Sequence, residues 1–127
     1  MTKRAAIHAF WSMFGWPCIN EQSDIDEATA QELGFDKKRI EYEFRAGDYT
    51  EPIALTASLF HRSTSWTEID AKADEIRAAI GQGYETPVDG GYLWITAGQP
   101  FTSDEAPADV GWRRVVLNIN VNFLTST

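Results

Sequence analysis

A chain of 127 residues with 43% apolar and 13% aromatic content has the material for one packed domain spanning 1–127, which excludes a disordered chain and a fold stapled by disulfides. Net charge is −8, from 11 basic and 19 acidic residues, and this excludes a general electrostatic grip on nucleic acid. The single cysteine, Cys18, excludes an internal disulfide and suits a reducing compartment.

Lys3 and Arg4 lead into an apolar stretch, Ala5 to Cys18. It is too short to span a bilayer, is interrupted by His8 and Ser12 and has no small-residue cleavage site, so it reads as a mature helix and not as a leader or membrane anchor. Ile7, Phe10, Trp11 and Phe14 recur at helical spacing and predict a helix over 3–16, ended by Gly15 and Pro17. Ala5, Ala9 and Met13 form a second apolar row, with Trp16 just beyond. A helix apolar on two sides wants cover on two sides, and the second cover is expected from another subunit. Residues 21–36 are acidic and weakly patterned, with a short helix expected over 24–33 between loops.

The period then changes to two. Ile40, Tyr42 and Phe44 alternate with Glu41, Glu43 and Arg45, Gly47-Asp48 marks a turn, and Ile53, Leu55, Ala57 and Leu59 alternate in turn. This predicts a hairpin with one wet face. Ser65 and Glu68 stand at capping-box spacing, and Ile69, Ala73, Ile76 and Ile80 predict a second helix over 66–80 that stops at Gly81. Asp89-Gly90-Gly91 gives a turn before a short strand, Tyr92 to Thr96. Residues 98–110, GQPFTSDEAPADV, read as a long loop. The last strand is clean: Val115, Leu117, Ile119, Val121 and Phe123 point inward, Asn118, Asn120 and Asn122 outward. The expected order is α-β-β-α-β-β. That is an α+β fold: a mostly antiparallel sheet, helices packed on one face, and a long loop before the last strand.

Candidate chemistry is sparse. His8 and His61 are the only histidines, and with neither Cys-x-x-Cys nor His-x-x-x-His no metal site is expected. His61 lies near Ser63 and Ser65 without a G-x-S-x-G elbow. Cys18, between Pro17 and Ile19, reads as a small buried hydrophobe. The acids of 21–36 and the pair Asp104-Glu105 lack calcium-loop spacing, and the glycines form no phosphate cradle. No catalytic, cofactor-binding or metal residue is expected, and no cofactor, so the chain does not read as an enzyme. The Asn118, Asn120 and Asn122 ladder has two readings: a plain exposed sheet face, or an interface or lumen surface where neutral hydrogen-bonding groups replace charge. Valine or threonine would serve strand propensity better than asparagine.

The segment LFHRSTSWTEIDAKADEIRAAIGQG, followed by DGGYLWITAGQPF and RRVVLNINVNFL, resembles the tail-terminator family of long-tailed bacteriophages and prophages. The likeness covers roughly 38–124, the N-terminal helix fits in place, and the acidic stretch at 21–37 departs from it. The resemblance implies a structural virion protein that forms a ring, usually of six subunits, at the head-proximal end of the tail tube. There it would end tube polymerisation and offer the head-joining surface. The partners it implies are other copies of the chain, the tail-tube protein and a head-completion or neck protein. DNA would pass through the ring without specific binding, and no membrane is involved. The implied location is the neck of the virion tail, after synthesis in the bacterial cytoplasm. Candidate interface residues are Ala5, Ala9, Met13, Trp16, Phe101, Asn118, Asn120 and Asn122. The alternatives are another neck component, such as a head-closure or tail-completion protein, and a small non-enzymatic binding module.

Overall fold

The computed structural model describes residues 1–23, 25–105 and 110–125. The chain forms α1 (Lys3–Ser12), β1 (Cys18–Asn20), α2 (Glu27–Glu32), β2 (Lys38–Tyr42), β3 (Ile53–Arg62), α3 (Thr67–Ile80), β4 (Tyr84–Val88), β5 (Gly91–Glu105) and β6 (Trp112–Thr125). The six strands make one sheet in the order β1-β2-β3-β6-β5-β4. β1 runs parallel to β2, and every other pairing is antiparallel.

This corrects the expected fold in three ways. The α-β-β-α-β-β order misses two strands. β1 has only three residues, too few to show a period, and β4 carries Pro87, which cannot donate to a ladder and is tolerated here at the sheet edge. The helices do not simply pack on one face of an antiparallel sheet either. α1 touches both β1 and β4, strands at opposite edges, so the sheet curls around it, while α3 lies against β3, β5 and β6. α2 buries none of its own residues, and among the described residues strand accounts for 43% and helix for 25%.

The third correction concerns 98–110. Residues 98–105 belong to β5, and 106–109 lie outside the described residues. Ala97 pairs with Ile119 and Thr102 with Leu117, so β5 takes five steps where β6 takes two and holds a bulge across Gly98, Gln99, Pro100 and Phe101. Turn-forming residues here make a bulge within a strand and not a free loop. Gly98 is required: a Cβ there would stand 2.9 Å from the Asn118 Cβ and 3.0 Å from its carbonyl oxygen. The Asn118 amide donates to the Pro100 carbonyl oxygen at 3.0 Å and ties the bulge down.

The core follows the periodicities. Ile7, Phe10 and Trp11 of α1 and Ile69, Ile76 and Ile80 of α3 meet Ile40, Leu55, Leu59, Leu93, Ile95, Leu117 and Ile119 of the sheet, all at most 2% exposed. Each such side chain contributes about 1.5–3 kcal/mol by leaving water. α1 stops at Ser12, sooner than expected, and the chain turns through Gly15 at φ +83°. The capping box does not form: Trp66 is the N-cap of α3, without a side-chain cap, and Ser65 Oγ accepts from the Thr67 N–H at 3.2 Å. Glu68 instead reaches the sheet, where its Oε2 stands 3.1 Å from His61 Nε2 and its Oε1 3.5 Å from Lys38 Nζ. These two contacts hold the start of α3 against β2 and β3.

Candidate functional site

The nearest approach to a catalytic constellation lies where α1 crosses β1. Cys18 Sγ is 3.0 Å from Ser12 Oγ and 4.0 Å from His8 Nδ1, and His8 Nδ1 is 2.7 Å from the Tyr42 hydroxyl. The hydrogen-bond polarity works against a nucleophile. Ser12 donates its only hydroxyl proton to the His8 carbonyl at 2.7 Å, so its oxygen accepts from the Cys18 thiol. The Tyr42 hydroxyl occupies the ring nitrogen that faces Cys18. Burial raises the Cys18 thiol above its ordinary range, the Ser12 bond only partly opposing it, and burial also raises the Tyr42 phenol. A neutral thiol beside an engaged imidazole lacks the thiolate that nucleophilic chemistry needs. Among the described residues no three His, Cys, Asp or Glu side chains converge in a way that could hold a metal ion. No helix among them is long and apolar enough to cross a membrane.

The outward face of the central strands is a surface of a different kind. β6 places Asn120 between Ala54 of β3 and Thr96 of β5, with Asn118 beside Thr56 and Asn122 beside Trp94. These seven residues carry no charge in a chain of net −8. The three asparagines are half-buried and alternate with buried Leu117, Ile119 and Val121, as the period predicts. Asn118 is engaged with Pro100, whereas Asn122 Oδ1 is buried without a protein partner among the described residues. Trp94 is held by its seat, since a Cβ at Gly83 would overlap its indole.

The other expected interface residues divide. Ala5, Ala9 and Met13 are exposed on α1, Met13 at 45%, and the Tyr84 hydroxyl approaches the Met13 sulfur at 3.5 Å. Trp16 is only 5% exposed and is covered within its own subunit, by His61 at 5.7 Å between ring centroids and by the ammonium groups of Lys38 and Lys72. Phe101 packs half-buried against the core from the bulge. Trp16 and Phe101 therefore serve the subunit's own packing, because each ring finds an intramolecular seat that its local sequence does not reveal.

Sequence reasoning missed a groove between β1, α2 and β2. It encloses about 270 Å³, with Ile19, Ile25, Phe35 and Trp112 as apolar walls and Glu21, Glu27, Asp36, Arg39 and Glu41 among its polar groups. The Arg39 guanidinium is engaged on several sides: it stacks on Phe60 and Trp112 at 4.1 and 5.0 Å, and it donates to Glu41 at 2.9 Å and to the Phe35 carbonyl at 3.3 Å. One signal was available, the run of acids from Glu21 to Asp36 without an intervening base. The strands that bring Phe60 and Trp112 to Arg39 are distant in sequence, so the groove itself was not legible. Comparison with known proteins found no matching family model, no matching curated protein and no matching solved structure.

Proposed function

We propose that this chain is a ring-forming subunit of a phage tail neck, a tail terminator that caps the tube at its head-proximal end and carries the head-joining surface. The observation that carries the reading is the uncharged patch at the centre of the outward face, where Asn118, Asn120 and Asn122 stand beside Ala54, Thr56, Trp94 and Thr96, flanked by the Glu43–Arg45 ion pair and by Arg114, in a chain of net −8. An acidic subunit that must lie beside identical acidic subunits, or line a passage for DNA, needs a face that neither repels its neighbour nor grips a polyanion. Neutral amides on a strand surface meet both needs. The resemblance of 38–124 to tail terminators points the same way, and in this reading the protein acts by assembly and not by catalysis.

The test is the tail phenotype of virions made without this chain. Overlong tails without heads are the expected result. Tails of normal length beside unjoined, filled heads would replace termination with a head-joining role alone, and unchanged virions would remove the protein from the neck.

A further inference from the structure

We infer that a second copy of this chain covers the groove between β1, α2 and β2, seating there the cationic corner formed by Lys3 and Arg4 at the start of its α1. The inference rests on the ring reading above and names the contact that closes the ring.

Two observations on separate patches of the subunit carry it. The groove presents Glu21, Glu27, Asp36 and Glu41 against one cation, Arg39, whose guanidinium is already engaged by Glu41, a carbonyl and two rings. Asp36 Oδ1 is buried with no hydrogen-bond partner among the described residues. A buried acceptor without a donor is costly, and the excess of carboxylates around the groove selects a cation. The apolar walls suit the alkyl stem of a lysine or arginine.

The corner is the counterpart. α1 contains no acidic residue, and neither Lys3 nor Arg4 forms an ion pair among the described residues of a chain with 19 acids. Lys3 sits over the Phe123 ring at 4.5 Å and Arg4 over Phe44 at 4.4 Å, so both cations ride on aromatic faces and keep donors free. Lys37, Arg62, Arg77, Arg113 and Arg114 also lack ion pairs among the described residues, but the last three donate to Gly81, Thr64 and Ser58, and Lys37 and Arg62 flank the groove beside the start of β2 and the end of β3. The corner lies on the concave side, over Phe123 and Phe44, which pack with the core, whereas the groove is lined by Arg39 and Glu41 of β2, which alternate with the buried Ile40 and Tyr42, and by Trp112 of β6. Complementary patches at different places on the subunit make a head-to-tail contact, the kind that closes a ring when its rotation allows. Arg4 also begins the exposed row Ala5, Ala9 and Met13, so the same contact gives that row a neighbour.

Sedimentation of the full chain over a range of concentration and sodium chloride tests the contact. Wild type is expected to self-associate, less so at high salt, because charge contacts are screened. Lys3→Glu with Arg4→Glu should weaken association at least about tenfold, as should Glu21→Lys with Glu27→Lys, and the four changes together should restore it. All four positions are surface-accessible, and unchanged thermal midpoints establish that the variants fold; Lys3→Gln with Arg4→Gln, expected to weaken association in the same direction, serves if the reversal does not. A wild type that forms rings while the reversals leave it unmoved overturns this contact and spares the ring. Weakening by each pair without restoration by the four overturns the pairing of groove with corner. A chain that stays monomeric throughout, with tube protein present, overturns both contact and ring.

Discussion

Cys18 shows how a neighbourhood decides what a residue can do. The sequence reading of a small buried hydrophobe left its neighbours unseen, because His8 and Ser12 reach it only when α1 folds back over β1. The folded thiol is raised above its ordinary value of 9.0, chiefly by burial. A group whose folded value lies above its unfolded value supports stability fully below the unfolded value and loses that support as pH rises towards the folded one. Stability should therefore decline above pH 9, with the raised Tyr42 phenol adding a loss of the same sign at higher pH. Replacing Cys18 with Ala should flatten the first part of that decline in thermal melts taken across alkaline pH. At pH 8, iodoacetamide should alkylate the native thiol more slowly than the unfolded one, since the thiolate is the nucleophile and burial disfavours it. A native rate equal to the unfolded rate would contradict the burial of Cys18 beneath α1.

Single elements were legible where one rule acted alone. The spacing of Ile69, Ala73, Ile76 and Ile80 places α3 within a residue of its observed start, and alternation identifies the inward and outward sides of β6 correctly. Legibility failed where a local signal competed with a long-range pairing. Gly98 and Pro100 read as loop formers, yet β6 offers a partner on that side and the chain takes a bulge. Ser65 and Glu68 read as a capping box, yet His61 and Lys38 claim the carboxylate. The groove was invisible for the same reason, because Arg39, Phe60 and Trp112 come from three strands. The bulge gives this lesson a measurable form. Gly98→Ala places a methyl against Asn118 at 2.9 Å, with backbone close behind, and should cost about 1–3 kcal/mol in urea unfolding. In a free loop the same change would be neutral or stabilising, because alanine narrows the unfolded ensemble. The sign of the effect thus discriminates a bulged strand from a loop.

For the whole molecule, the sheet presents a concave side filled by α1 and α3, with Lys3 and Arg4 at its margin, and an outward side where an uncharged central patch lies apart from the acidic groove. If the groove and the Lys3–Arg4 corner join subunits, the uncharged patch is left to face either the passage or another ring. Asn120→Lys with Asn122→Lys distinguishes these fates, with Asn118 kept because it tethers Pro100. The net charge moves from −8 to −6, since each change adds one positive charge. Fold stability should shift little, as outward strand positions away from special contacts usually change it by no more than about 0.5 kcal/mol. Against a neighbouring ring, two like charges per subunit forced from water would oppose stacking, and microscopy would count tails without heads. Along the passage they would instead attract phosphate, so particles would look complete while ejection slowed and became strongly salt-dependent. Normal assembly together with ejection that ignores salt would show that this side of the sheet meets neither DNA nor protein, and the neutral ladder would then be an ordinary solvated surface.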